Sequence, residues 1–306
     1  FVDILENDEV GFGSTEYIVL REKKDKTINE FIYYLAISPR VRNIAIKSMT
    51  GTSGRQRVQK DVFNKLKIKL PPLKDQKAIA DTLSSLDKKI EINNQMNQTL
   101  EEMAQAIYKS WFVDFEPWQD GEFVDSTLGK IPKGWEVGVL KDILSLKNGK
   151  RPKERQDEKN KEFKIPVVGA SGIMAYTKDE LYNEPILVIG RVGTLGVVQR
   201  YNYPCWTSDN TIVIKSDYYE YAYSILNIIN FKNLNRGSTQ PLIAQKDIKG
   251  IKIVIPPEEI LKDFEEKIKS FFKKIENNKK ENQTLKQLRD TLLSKLMSGE
   301  IRVNED

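Results

Sequence analysis

Between Lys74 and Trp111, apolar or small-polar residues recur at Ile79, Leu83, Leu86, Ile90, Asn93, Asn97, Leu100, Ala104 and Ile107, in alternating steps of four and three. That spacing keeps one stripe on the same side of a helix and is the heptad pattern of a coiled coil. The stripe returns 185 residues later at Phe264, Ile268, Phe271, Ile275, Asn278, Asn282, Leu285, Arg289 and Leu292. The words around it return too. Lys88-Lys89-Ile90-Glu91 becomes Lys273-Lys274-Ile275-Glu276, Asn97-Gln98-Thr99-Leu100 becomes Asn282-Gln283-Thr284-Leu285, and Pro71-Pro72 becomes Pro256-Pro257. Arg289 interrupts the second stripe, so Met103 and Leu288 are expected to take over the contact there. A helix of about 37 residues is about 55 Å long and cannot bury such a stripe alone. Its natural partner is the other copy, folded back antiparallel with approximate two-fold symmetry. Asn93, Asn97, Asn278 and Asn282 sit in the seam of both copies and are expected to fix its register by pairing across it.

Around the helices the pattern shortens to that of α/β heads. Ile18-Val19-Leu20 predicts a short strand. Thr27 to Ser38 predicts a helix, with Thr27 as N-cap, Glu30 at the capping-box position and Pro39 just past the end. Leu66 to Leu70 alternates apolar residues with lysine, a half-buried strand that Pro71 stops. Trp111 to Trp118 is an aromatic cluster. Aromatics can stack on bases, but here they are expected to pack the helix end against the second head. Asp120-Gly121 marks a turn. The second head is expected to contain strands at residues 165–168, 185–189, 196–198 and 211–214, a helix from Tyr218 to Asn230 and a closing strand over 251–255. Tyr17 to Leu20 resembles Thr211 to Ile214 at an offset of 194, so the first copy is expected to begin part-way through its head. The resulting division is 1–70 for the end of the first head, 71–113 for the first helix and 114–129 for a linker. Residues 130–257 form the second head, 258–298 the second helix and 299–306 a tail.

Composition narrows the function. The chain has 306 residues, 30% charged and 39% apolar, with a net charge of +5. That balance permits a polyanionic partner without requiring one. One cysteine, Cys205, excludes an internal disulfide and fits a reducing, cytoplasmic setting. No apolar run approaches membrane-spanning length. The absence of histidine excludes Ser-His-Asp catalysis and, with a single cysteine, a zinc finger.

Catalytic signatures are missing as well. Both Pro-Pro pairs have the flanks of strand stops rather than of an amino-methyltransferase motif, and there is no Gly-rich phosphate loop. Glu162-Phe163-Lys164 resembles a nuclease Glu-x-Lys only faintly. No catalytic residue and no metal ligand is assigned. What remains is a set of basic, glycine-bearing loops. Lys147, Lys150, Arg151 and Lys153 lie within seven residues and suit phosphate contacts, as does Arg236. Gly190-Arg191-Val192-Gly193-Thr194 follows a strand. Arg236-Gly237-Ser238-Thr239-Gln240-Pro241 matches the first-copy loop Gly51-Thr52-Ser53-Gly54-Arg55-Gln56-Arg57. Arg and Gln offer bidentate contacts to guanine and adenine edges. Arg55, Gln56, Arg57, Arg191, Ser238, Thr239 and Gln240 are therefore the candidates for base edges. A rival reading is a coiled-coil scaffold whose heads bind proteins.

Three segments carry a family resemblance: Leu70-Pro71-Pro72-Leu73-Lys74-Asp75-Gln76-Lys77-Ala78-Ile79-Ala80, Ile131-Pro132-Lys133-Gly134-Trp135-Glu136, and the tail Leu293 to Val303. With the duplication, they make the chain resemble the DNA-specificity subunit of type I restriction-modification systems, over almost its whole length. It departs at Glu258-Glu259-Ile260, where the family keeps a Gln-containing entry like the first. The resemblance implies an α+β fold: two α/β target-recognition heads, the first truncated, joined by a long antiparallel two-helix coiled-coil stalk with pseudo-two-fold symmetry. It implies that the heads read two halves of a bipartite double-stranded DNA target and that the stalk sets their spacing, at most about 16 base pairs for about 55 Å. It further implies methyltransferase subunits that carry S-adenosylmethionine, a restriction-translocase subunit, and no cofactor or catalysis in this chain.

Overall fold

The computed structural model describes residues 13–303, except Thr15, Ser53, Arg55, Thr194 and residues 238–240. In chain order the α-helices are α1 (Asn29–Ile37), α2 (Pro39–Lys47), α3 (Asp61–Lys65), α4 (Leu73–Phe112), α5 (Tyr219–Ile228), α6 (Gln245–Lys249) and α7 (Glu258–Ser298). The strands are β1 (Phe123–Ser126), β2 (Gly129–Pro132), β3 (Glu136–Val139), β4 (Ser145–Asn148), β5 (Ile165–Gly169), β6 (Gly172–Thr177), β7 (Ile186–Gly190), β8 (Val198–Tyr201), β9 (Trp206–Thr207), β10 (Thr211–Lys215) and β11 (Lys252–Ile255). They form two compact units, one made of the residues up to Asn97 together with those from Glu276 onward, the other of Gln98–Ile275.

In the first unit α1 packs on the beginning of α4 and the end of α7. Phe31, Tyr34, Ile79, Ala80, Leu83, Leu293 and Leu296 make its buried core. The two long helices run antiparallel there, because partners fall along α7 as they rise along α4: Asp87 meets Arg289, Asn93 meets Asn282 and Asn97 meets Asn278. The asparagines bond across the seam. Asn93 donates to Asn282 at 2.9 Å, Asn278 donates to Asn97 at 2.9 Å, and Asn282 donates to Asn94 at 2.9 Å. All four seam asparagines are buried. A slip of one turn would keep one asparagine pair and leave the other two amides facing apolar seam residues, so the double pairing favours a single register.

The break at Arg289 is resolved differently from the sequence expectation. Met103 and Leu288 are each 45% exposed and do not enter the seam. Arg289 stays half-buried and donates to Asp87 at 2.7 Å, while the Tyr34 hydroxyl donates to the other Asp87 oxygen at 2.8 Å. A paired guanidinium can therefore sit where the stripe called for an apolar residue.

Other local expectations fail for identifiable reasons. Ile18 to Leu20 is not a strand, and Leu66 to Leu70 is not one either. The counterpart of Leu66–Leu70 is β11, which is a strand because β3 pairs with it antiparallel. Among the described residues no strand lies against 66–70, and a strand without a ladder has no bonds to hold it. Thr27 does not cap α1. Its hydroxyl accepts from the Lys23 N–H at 2.7 Å, and Ile28 takes the cap position. Pro39 starts α2 instead of merely following α1, since its missing N–H costs nothing at a first helical position.

The segment leading into α1 is held from α4. Gln76, fully buried, accepts from the Ile28 N–H at 3.3 Å and donates to the carbonyls of Lys26 at 2.8 Å and Pro71 at 2.9 Å. Its counterpart in the second copy is Leu261, buried among apolar residues. Gln76→Ala is expected to cost about 2 kcal/mol by leaving buried backbone groups unpaired, read as a lower denaturant midpoint with an unchanged m-value. Leu261→Ala would lower stability through a cavity instead.

In the second unit a four-stranded antiparallel sheet runs in the order β4-β10-β7-β8, and a three-stranded sheet in the order β6-β5-β9. All five residues of β7 are buried, as its continuous apolar run requires. The strands expected at 165–168, 185–189, 211–214 and 251–255 are present, and the one expected at 196–198 lies later, at Val198–Tyr201. The hairpin β1–β2 occupies part of the segment read as a linker. Tyr108, Phe112, Trp135, Tyr221 and Phe264 pack ring against ring around the end of α4, with Phe112 meeting Tyr221 and Phe264 edge-on at centroid separations of 4.9 and 5.0 Å. The aromatic cluster is thus a packing core.

α7 also supports the head through Glu265, whose carboxylate accepts from the Tyr221 N–H at 2.7 Å in the first turn of α5. Burial pushes this carboxyl up to about 7, with nearby Glu220 adding to the rise, while the α5 N–H donors and Arg200 pull the other way. The folded chain therefore holds this proton more tightly than the unfolded chain does. The contribution of this group to stability is greatest below about pH 4.5, is lost as pH rises to about 7 and is flat above, by roughly 2 kcal/mol once partial solvent access is allowed for. Glu265→Gln is expected to flatten that slope in chemical unfolding measured across pH 4.5 to 8.

Candidate nucleic-acid interface

The basic loops that the sequence left scattered converge in the second unit. β4 ends at Asn148, and Gly149 and Lys150 then turn along the strip Thr207–Thr211. The Gly149 N–H donates to the Thr211 carbonyl at 3.0 Å, and the Lys150 N–H donates to the Thr207 carbonyl at 2.8 Å. The Trp206 indole N–H donates to the Lys150 carbonyl at 2.6 Å. From the other side, the Arg191 N–H donates to the Asn210 carbonyl at 2.8 Å, and the Arg191 carbonyl accepts from Ile243 at 3.0 Å. Gly193 donates to Pro241 at 3.1 Å, and Gln245 donates to Asn148 at 2.8 Å. Two loops separated by dozens of residues thus bond the strip around Ser208–Thr211, and the third is joined to the second of them through Pro241 and Ile243.

The cations in this cluster are not equivalent. Lys147, Lys150 and Lys153 are exposed and form no ion pair with any described residue. Arg151, 81% exposed, lies 3.3 Å from Asp209. Arg236 is tied to Asp247 on α6, which orients it and lowers its value as a free phosphate contact. Arg191 is half-buried and is placed by its backbone bonds. Ser238, Thr239 and Gln240 lie outside the described residues.

In the first unit the matching loop closes on itself. Thr50 and Arg57 exchange two backbone bonds of 3.1 and 2.9 Å. In the second unit the residue 185 later than Arg57 is Leu242. Its N–H is accepted by the Asn235 side chain at 2.9 Å, and its carbonyl accepts from Arg236 at 2.9 Å. The two loops are therefore closed at equivalent places by different atoms. Gln56 is exposed, Arg57 pairs with Glu16 at 2.7 Å, and Arg55 lies outside the described residues.

The nuclease-like triplet has another explanation. Glu162 and Glu154 both pair with Lys178 at 2.7 Å, and this lysine also lies over the Phe163 ring, pinning the 154–163 loop to β6. Among the described residues no group of three acidic, histidine or cysteine side chains could hold a metal, and no helix is long and apolar enough to cross a membrane.

Sequence reasoning missed Asp209 and Asn210, which stand at the centre of the convergence. The available signal was Ser208-Asp209-Asn210, a turn-forming run just before an apolar strand.

The profile of the type I restriction modification DNA specificity domain matches residues 4–102 and 132–287. The chain belongs to that family. It is 30% identical over 309 residues to the MjaIX specificity subunit of Methanocaldococcus jannaschii, covering 92% of this chain and 71% of that one. It is 26% identical to the HindI specificity subunit of Haemophilus influenzae, covering 94% of this chain and 81% of that one. The S subunit of a type I restriction-modification system from M. genitalium shares the fold at a TM-score of 0.59 and 19% identity, covering 90% of this chain and 73% of that one. Sequence-specific DNA recognition in a restriction-modification system, by a subunit without a catalytic centre, is the function that goes with this membership.

Proposed function

We propose that the second head reads one half of a bipartite duplex target through the cluster around residues 207–211, and that the loop at residues 51–57 reads the other half. Lys147, Lys150, Arg151 and Lys153 hold phosphates and set the orientation. Arg191 and the segment Ser238–Gln240 reach base edges, as Gln56 and Arg57 do in the first head together with Arg55. The paired helices, with their asparagine-fixed register, are the spacer between half-sites. Methyltransferase subunits dock on the chain, hold S-adenosylmethionine and methylate adenine, and a restriction-translocase subunit completes the assembly. The observation that supports this reading is the linking of three basic loops beside one turn, two of them bonded to it and the third bonded to the second, with three lysines unpaired among the described residues. A protein-binding scaffold has no need of that arrangement.

Binding to mixed-sequence duplex DNA across a salt series tests it. Wild type should show a steep loss of affinity with salt. Lys150→Ala should weaken every duplex to the same extent and reduce the slope by about one. A shallow slope in the wild type would favour the scaffold reading.

A further inference from the structure

The turn beside the basic loops is firmly held. The turn Asp209–Asn210 sits between residues that are almost completely buried: Thr207 at 0%, Ser208 at 2% and Thr211 at 0%. Its base is closed by the Thr211 N–H and hydroxyl, which both donate to the Ser208 carbonyl, at 3.1 and 2.7 Å. Ser208 is held from behind by its N–H donating to Val168 on β5 at 2.8 Å. The Asn210 carbonyl is fixed by Arg191. The Asn210 side chain is exposed, and its amide has no partner among the described residues. Asp209 faces Arg151 across 3.3 Å, a contact that a phosphate could take over, because Arg151 is 81% exposed.

Resting on the DNA-recognition reading above, we propose that the Asp209–Asn210 turn is a base-reading element of the second head and that Asn210 presents its amide to an adenine edge in the major groove. An asparagine amide carries one acceptor and one donor side by side, which matches the N6 donor and N7 acceptor of adenine. Discrimination by such a pair requires that the amide be carried on backbone that does not adjust to the wrong base. This turn meets that requirement through buried flanks and a doubly donated carbonyl. Asp209 acts as a positioning residue. It keeps Arg151 beside the turn until a phosphate competes for the guanidinium, so the phosphate contact and the base contact are made by neighbouring atoms.

The test is selection of bound duplexes from a randomised pool, using the full chain with its modification subunits, for wild type, Asn210→Ala and Asp209→Asn. Wild type should enrich a split motif. Asn210→Ala should keep that motif but lose the adenine preference at one position of one half, with discrimination there falling about tenfold or more. Its affinity for non-cognate duplex and its salt slope should be unchanged, and thermal melting should confirm that it is folded. Asp209→Asn should retain the adenine preference and tighten all duplexes slightly, because a phosphate no longer competes with a carboxylate for Arg151. If Asn210→Ala enriches the same motif as wild type, Asn210 is not a reader and this inference fails alone. If it loses cognate and non-cognate binding equally while folded, the turn positions phosphate contacts and the inference also fails. If wild type enriches nothing and shows no salt-dependent binding, the recognition reading itself fails and takes this inference with it.

Discussion

Arg200→Ala is expected to destabilise the second unit by about 3–5 kcal/mol, a fall of roughly 10 °C in melting temperature for a unit of this size. Arg200 lies on β8 and donates to both oxygens of Glu220 on α5, one of them at 2.9 Å. Its guanidinium lies 3.6 Å from the Phe272 ring centroid on α7, 4.7 Å from Tyr223 and 4.8 Å from Tyr219. One side chain therefore fastens a sheet strand, a head helix and a long helix. Glu220 is only 6% exposed. Without Arg200 it remains as a buried carboxylate close to Glu265, which is itself half-buried. That uncompensated charge, rather than the net strength of the pair, sets the size of the effect. Arg200→Lys should recover only part, because an ammonium cannot pair with both oxygens or lie flat on Phe272. Arg200→Met combined with Glu220→Gln should recover more, since no buried charge is left alone. Denaturant unfolding reads all three. A loss under about 1 kcal/mol for Arg200→Ala would mean that water screens the pair, as it does for surface ion pairs.

This contact shows where the sequence was readable and where it was not. The long helices were readable because a heptad stripe repeats a local rule many times, and the duplication supplied a second copy to check it. The seam asparagines were readable for the same reason. The strands β5, β7, β10 and β11 announce themselves as apolar runs. The strands β3, β4 and β9 do not, because each is only two to four residues long and owes its existence to a neighbour in space. Arg200 illustrates the general difficulty. Alone in the sequence it is one more exposed-type residue, and only the meeting of β8, α5 and α7 makes it a half-buried bolt. Leu66–Leu70 shows the converse, a good strand pattern with no described partner. The candidate site was half-legible. Its cations stood out by composition, whereas the turn at Asp209–Asn210 gained its meaning from three loops that are far apart in the chain.

Gly149→Ala tests that convergence with the smallest possible change. A Cβ built on Gly149 would lie 2.1 Å from the Ser208 carbonyl oxygen, 2.6 Å from the Thr211 hydroxyl and 2.7 Å from the Thr207 carbonyl oxygen. Two of these three atoms are backbone, held by the bonds that close the turn, so no rotamer change can relieve the clash. Either the Lys147–Lys153 loop must lift off the strip or the strip must move out of register with β4. The expected cost is about 3 kcal/mol or more, because both the Gly149–Thr211 and Lys150–Thr207 backbone bonds are lost with the displacement. The functional loss should exceed the stability loss. Once the loop is lifted, Lys150 and Arg151 no longer flank Asp209–Asn210, and phosphate contacts and base contacts cannot be made together. Cognate affinity should then fall toward the non-cognate level at a temperature where the chain is still folded, and more steeply than for Lys150→Ala, which removes one charge and leaves the geometry. A control substitution in the second unit that fills open space, Gly172→Ala on β6, should perturb folding through its left-handed backbone (φ +120°) while leaving selectivity intact in whatever fraction remains folded. If Gly149→Ala keeps full discrimination between cognate and scrambled duplexes, the loops do not act as one surface, and the base contacts lie elsewhere on the head.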